Sequence, residues 1–117
     1  MSTNIVIELP ETQPNEKAPY ALVGRVHAKP EMSDLLEKRL LELVEPTRRE
    51  EGAMQYHVHR DRHDLNLFVF YEVWRSKKDL EDHLNKPYVQ YFLKDRLSYI
   101  EGDMEITWLT MASSHPS

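Results

Sequence analysis

Apolar and polar residues alternate between Tyr20 and Ala28, where the folded part of the chain is expected to begin. The apolar positions of this stretch are Leu22, Gly24, Val26 and Ala28. A period of two residues predicts a half-buried β-strand. Ala53 to Arg60 and Leu67 to Trp74 carry the same signal, and the second of these is rich in the β-formers Phe, Val, Tyr and Trp. The short polar turn between them predicts an antiparallel hairpin.

Helical spacing follows the first predicted strand. Apolar residues recur three and four positions apart at Leu36, Leu40, Leu43 and Val44, which predicts a helix up to about Glu50. We expect Ser33 to cap this helix with its hydroxyl, Pro46 to kink it and Gly52 to close it. The mixed charges of residues 48–51 are expected to form a solvated helix end.

A second helical region follows the hairpin. Ser76 with Asp79 three residues later is typical of a capping box, and Pro87 is expected to break the helix. A further amphipathic helix then repeats its apolar positions in four-residue steps as far as Ile100. Residues 104–111 are expected to form the last strand.

The predicted order of elements is β-α-β-β-α-β, which is the split, ferredoxin-like arrangement of an α+β protein. It implies a four-stranded antiparallel sheet with its helices on one face. This domain is expected to span residues 20–112. Residues 1–19, which are polar and proline-rich, are predicted to be a flexible arm, and residues 113–117 a tail.

The strand Leu67–Trp74 is apolar on both sides. One side carries Leu67, Val69, Tyr71 and Val73, and the other carries Phe68, Phe70, Glu72 and Trp74. Helices on one face leave the other face open, which makes a protein prone to aggregation. Because a second copy of the same sheet is the simplest cover, we expect a homodimer. The family resemblance described below implies that this dimer is an α+β barrel.

Composition narrows the function. The 117 residues suit one domain, and 15 basic against 20 acidic residues give a net charge of −5, which argues against nucleic acid or an anionic membrane as partner. The absence of cysteine excludes disulfides and thiolate metal sites, and three isolated glycines do not make a phosphate-binding loop. No run approaches the ~20 apolar residues of a membrane span, and no signal peptide is apparent, so a cytoplasmic protein is expected.

Two titratable residues are candidates for chemistry. Glu72 lies between aromatic residues, where an unpaired carboxylate is costly, so it is either an acid, a base or an orienting group, or it forms a structural salt bridge to Arg25 or Arg75. His83 shares a helix face with Leu80 and is expected to point inward as a proton acceptor. The alternatives for His83 are a satisfied core histidine or a pair with Asp79.

Aromatic residues are candidates for the wall of an apolar pocket between sheet and helices, although core packing is the simpler explanation for most of them. They are Tyr56, Phe70, Trp74, Tyr88 and Phe92. Tyr56 and Trp74 each have a polar atom that needs a partner. The histidines 57, 59 and 63 match no closed metal site well, so a solvated surface is expected and no metal.

The ordered set of motifs resembles the antibiotic biosynthesis monooxygenase domain family. It consists of Leu43-Val44-Glu45-Pro46-Thr47-Arg48 ending in Glu51-Gly52, then Tyr56-x-Val58-x-Arg60-Asp61, then Phe70-Tyr71-Glu72-x-Trp74, with His83 nine residues after Trp74. The resemblance covers about residues 20–111. It implies a pocket inside each subunit and oxidation of phenols or quinols by O₂ without metal or flavin. The matched site positions are Tyr56, Tyr71, Glu72, Trp74 and His83.

These observations favour a cofactor-independent monooxygenase of a phenolic or quinol small molecule. His83, held by Glu72 or a water, would remove the phenolic proton, and Trp74 and Tyr56 would hold the ring. One alternative is a proton-shuttling isomerase of a sugar-like metabolite, which inward-pointing Arg25 or lysines would favour. Another is a non-enzymatic stress-response binding barrel. The haem-degrading relatives have an Asn on the first strand, and this chain has none there.

Overall fold

Four strands and four α-helices make up the fold in the computed structural model, which describes residues 3–14, 16 and 19–116. Parts of the predicted arm (residues 1, 2, 15, 17 and 18) and of the predicted tail (residue 117) lie outside the described residues. The strands are β1 (Tyr20–Ala28), β2 (Ala53–Arg60), β3 (Leu67–Trp74) and β4 (Ile100–Thr110). The helices are α1 (Ser33–Leu41), α2 (Val44–Arg48), α3 (Lys77–Leu84) and α4 (Pro87–Asp95), followed by a 3₁₀ turn at Arg96–Ser98.

The strands form one antiparallel sheet in the order β2-β3-β1-β4. This confirms the ferredoxin-like α+β fold, and β1, β2 and β3 begin and end where the sequence predicts. The last strand begins at Ile100 rather than Met104, because the preceding helix ends at Asp95 and Ile100 already pairs with Ala28.

The first helical region differs from its prediction. It is divided into α1 and α2 instead of forming one kinked helix. Pro46 is the third residue of α2, where a backbone N–H has no intrahelical partner, so its missing N–H costs nothing. Ser33 makes no side-chain cap. Gly52 allows a close approach instead of closing a helix, since a Cβ there would lie 2.3 Å from the Asp79 Cγ.

The predicted cap of α3 is confirmed. The Asp79 N–H donates to the Ser76 Oγ over 3.1 Å, and the Ser76 hydroxyl donates to the Asp79 carboxylate over 2.8 Å. The Arg75 guanidinium donates to the same carboxylate over 2.9 Å. These contacts fix where α3 begins, and they therefore fix the direction in which His83 projects from its last turn.

The helices cover the face of the sheet that carries the large aromatic side chains of β3. Cross-strand pairing aligns Glu72 with Leu22 on one side and with Tyr56 on the other. Gly24 is required opposite Phe70, because a Cβ would lie 2.1 Å from the Phe70 ring. The opposite face carries half-buried Val23, Val69 and Tyr71. Among the helices within the described residues, none is long and apolar enough to cross a membrane.

Candidate functional site

A small cavity of about 60 Å³ lies between the helix-covered face of the sheet and helices α3 and α4. Its walls are mostly aliphatic and aromatic. Three of the predicted pocket residues, Tyr56, Phe70 and Phe92, line it. Both predicted titratable residues, Glu72 and His83, line it as well, so the structure brings the two candidates for chemistry to one apolar space.

His83 is buried and held by Glu50. The His83 Nδ1 lies 2.8 Å from the Glu50 Oε2, with the two side chains only 4% and 12% exposed. A carboxylate accepts hydrogen bonds, so the neutral imidazole carries its proton on Nδ1 and leaves Nε2 as a proton acceptor. The predicted partners of His83 make other contacts: Glu72 accepts from the Trp74 indole N–H, and Asp79 binds Arg75 and Ser76.

Tyr88 shares the same carboxylate. Its hydroxyl donates to the Glu50 Oε2, the atom that faces His83. Burial and this neighbouring carboxylate raise the pKa of Tyr88 above its usual value, with a small opposing contribution from the Thr47 hydroxyl. Tyr88 therefore stays protonated at neutral pH, and its hydroxyl holds the Glu50 carboxylate in place.

Trp74 lies behind His83 and supports both candidates for chemistry. Its ring centroid is 4.5 Å from that of His83, at an interplanar angle of 38°. Its indole N–H donates to the Glu72 Oε1 over 2.9 Å. The predicted salt bridge from Glu72 to Arg25 or Arg75 is wrong: Arg25 lies on the other face of the sheet, and Arg75 pairs with Asp79 and Glu51.

Burial dominates the electrostatics of the cavity. It raises the pKa of Glu72 above the usual value, while His83 and the indole N–H of Trp74 oppose the rise. It also raises the pKa of Tyr56 well above its usual value, and the charge of Glu72 adds to this rise. Tyr56 is therefore a neutral phenol at physiological pH, and its hydroxyl keeps a proton that it can donate in a hydrogen bond.

Sequence reasoning missed Glu50 and Thr47. The charge run that contains Glu50 was expected to be a solvated helix end, yet the Glu50 side chain is nearly buried. Thr47 is fully buried, and among the described residues its Oγ1 has no hydrogen-bond partner of good geometry. A signal existed: Leu40, Leu43, Thr47 and Glu50 follow one another at spacings of three, four and three residues, the period of a buried helix face.

Several predicted residues lie elsewhere. Tyr71 and Arg25 point to the sheet face opposite the cavity, as do His57 and His59. Trp74 and Tyr88 contact His83 without lining the cavity. Within residues 3–14, 16 and 19–116, no three His, Asp or Glu side chains are grouped closely enough to hold a metal ion.

Comparisons with known proteins agree with the fold. The sequence model described as "Antibiotic biosynthesis monooxygenase" matches residues 19–95. The chain is 30% identical over 88 residues to the uncharacterized protein sll1783 of Synechocystis; the match covers 75% of this chain and about 60% of the relative's length.

Two solved structures have the same fold. PA3566 from Pseudomonas aeruginosa matches with a TM-score of 0.78 and 32% identity, over 85% of this chain and 99% of its own. Rv0793 from Mycobacterium tuberculosis matches with a TM-score of 0.80 and 21% identity, over 85% of this chain and all of its own.

Proposed function

Because the chain belongs to the antibiotic biosynthesis monooxygenase family, we propose that it oxidises a phenolic or quinol small molecule with O₂, without a metal or flavin. The observation that carries this proposal is the buried His83–Glu50 pair at the wall of an apolar cavity. Apolar walls suit an aromatic ring, and a histidine with a free Nε2 suits removal of a phenolic proton.

The reaction begins with proton transfer from the substrate hydroxyl to the His83 Nε2. Glu50 stabilises the imidazolium that forms, as an orienting carboxylate does in a catalytic triad. The resulting phenolate is electron-rich and gives its electrons to O₂. For a phenol oxidised to a quinone, one oxygen atom enters the ring, the other leaves as water, and the substrate supplies all four electrons.

Other side chains position the substrate. Tyr56 donates a hydrogen bond to the substrate oxygen, since the raised pKa of Tyr56 keeps its own hydroxyl protonated. Glu72 lies beside Tyr56 on the neighbouring strand. Its carboxylate disfavours a negatively charged group of the substrate at that position. Arg25, which would have favoured a sugar-like substrate had it pointed inward, is directed away from the cavity.

Oxygen consumption tests this proposal. With a panel of naphthols and dihydroxynaphthalenes, we expect at least one compound to be consumed together with one equivalent of O₂, and label from ¹⁸O₂ to appear in the product. An isomerase would convert its substrate without O₂, and a binding barrel would retain a ligand unchanged. Absence of O₂ uptake across the panel, with tight binding of the same compounds, would favour the binding barrel.

We also propose that the chain forms a homodimer through the sheet face opposite the helices. Val23, Val69 and Tyr71 lie side by side on this face, and Leu109 adds an exposed apolar side chain on β4. Covering such a patch with a second copy removes apolar area from water at ~25 cal/mol per Å². A two-fold axis pairs the patch with itself.

Sedimentation velocity tests the dimer. The unmodified chain is expected to sediment as a dimer at micromolar concentration, and Val23→Lys as a monomer, because a charge at the centre of a desolvated patch is costly. Leu41→Lys adds the same charge at an exposed position of α1 and should leave the dimer intact. A monomeric unmodified chain would contradict the proposal.

A further inference from the structure

The cavity is too small for substrate-sized molecules in this structure. Its volume of about 60 Å³ is enough for a few waters, since one water needs roughly 10–15 Å³ by the same measure. Pockets that hold small organic ligands measure about 300–1,000 Å³. A wall of the cavity must therefore move before an aromatic ring can enter.

One wall comes from outside the sheet and the helices. Ile7 lines the cavity, and Ile5 and Leu9 also pack against the core. Val6, Glu8 and Pro10 point to solvent, with Val6 80% exposed. We call the segment 3–11 the strap. Between Asn4 and Pro10 its side chains alternate outward and inward as in a strand, but no strand of the described part of the chain pairs with it.

A buried glutamine holds the strap. The Ile5 N–H donates to the Gln90 Oε1 over 2.8 Å, and the Gln90 Nε2 donates to the Ile5 carbonyl over 2.9 Å. Gln90 is only 4% exposed, and its Nε2 also donates to the Leu84 carbonyl over 2.7 Å. Both polar groups of this amide therefore bind the backbone of one strap residue.

Near the other end of the strap, the buried Tyr20 hydroxyl donates to the Pro10 carbonyl over 2.7 Å. The other polar attachments are exposed. Asn4 bonds Asn85 at the surface over 3.2 Å, and Glu11, which is 89% exposed, pairs with Lys77 over 2.9 Å. Exposed pairs of this kind contribute little to stability. An open groove also separates the strap from α3. Of the two buried attachments, the one to Gln90 lies nearer to Ile7 in sequence and makes two hydrogen bonds, so it is the one that holds Ile7 in the cavity wall.

We propose that the strap gates the cavity, that Gln90 is the clasp that holds the strap in place, and that Ile7 is the strap residue that blocks access to the cavity. The strap lies outside the family match, which begins at residue 19. The proposal rests on the proposed function only for the identity of the ligand. The gating itself is inferred from the small volume of the cavity and from the hydrogen bonds between Gln90 and Ile5.

Thiol labelling measures the gating without reference to turnover. Because the chain has no cysteine, Leu80→Cys places a single thiol in the cavity wall. Its rate of reaction with 4,4′-dithiodipyridine, a neutral aromatic reagent, reports how often the cavity opens. Adding Ile5→Pro, which deletes the donor N–H, or Gln90→Leu, which deletes the amide, should raise that rate about tenfold, because the open population rises when the clasp is lost.

A second thiol separates strap opening from unfolding. Leu36 is fully buried on α1 and does not line the cavity, so the thiol of Leu36→Cys is expected to react only when the domain itself opens. Its labelling should change less than about twofold in the same backgrounds. Equal acceleration at both thiols, or no acceleration at Leu80→Cys, would overturn the proposal.

The role of Ile7 is tested by a matched pair in the strap. Ile7→Ala should accelerate labelling of Leu80→Cys because it removes part of the wall, while Val6→Ala, at an exposed position, should not. Equal rates in these two variants would assign no gating role to Ile7. Absence of O₂ uptake by the unmodified chain would refute the proposed reaction, but it would not affect the conclusion from the labelling rates.

Discussion

His83→Ala is expected to lower kcat for O₂-dependent oxidation of a phenolic substrate by about 10²- to 10⁴-fold, the usual contribution of a positioned general base. The substrate phenol is a weak electron donor until it loses its proton, and His83 is the buried imidazole at the cavity wall. Initial rates of O₂ uptake at saturating substrate measure the effect. The circular dichroism spectrum should be unchanged.

Two variants make this result specific. His63→Ala removes an exposed histidine from the turn between β2 and β3 and should leave kcat unaltered. Glu50→Gln keeps the size of the side chain but removes the charge that stabilises the imidazolium. Its kcat should fall by about a hundredfold or more, and its KM should be unchanged, because Glu50 does not line the cavity. Full activity of His83→Ala would remove His83 from the mechanism.

The fold followed from the sequence because its strands carry strong local signals. The alternation in β1 and the aromatic density of β3 each specify one buried face, and the Ser76–Asp79 motif specifies where α3 begins. The division of the first helical region was not predictable in the same way. It depends on how α1 and α2 pack on the sheet, and Pro46 is compatible with both a kinked helix and a new helix start.

The site was predicted only in part. His83 and Glu72 were found because each is a polar residue within an apolar pattern, and such residues need partners. Their partners depend on tertiary contacts: Glu50 is 33 residues from His83 in sequence. Arg25 could have been set aside, since alternation around Gly24 and Val26 already places it on the opposite face of β1.

Trp74→Phe is expected to lower the free energy of unfolding by about 2–4 kcal/mol at neutral pH or above. The phenyl ring leaves a void where the larger indole was fully buried. The variant also removes the N–H that donates to the Glu72 carboxylate, and a buried charge that loses a donor is costly. Urea denaturation at several pH values measures both contributions.

The pH dependence separates the void from the lost hydrogen bond. Because burial raises the pKa of Glu72 in the folded state above its usual 4.5, the neutral carboxyl favours folding below that pH, and this stability is lost as the pH rises through the folded-state pKa. The indole N–H lowers the pKa of Glu72, so Trp74→Phe raises it further and extends the loss to higher pH. The cost of Trp74→Phe should therefore be smallest below about pH 4.5 and grow as the pH rises through the folded-state pKa of Glu72. In a Glu72→Gln background that growth should disappear, and a cost that is the same at every pH in both backgrounds would contradict the assignment.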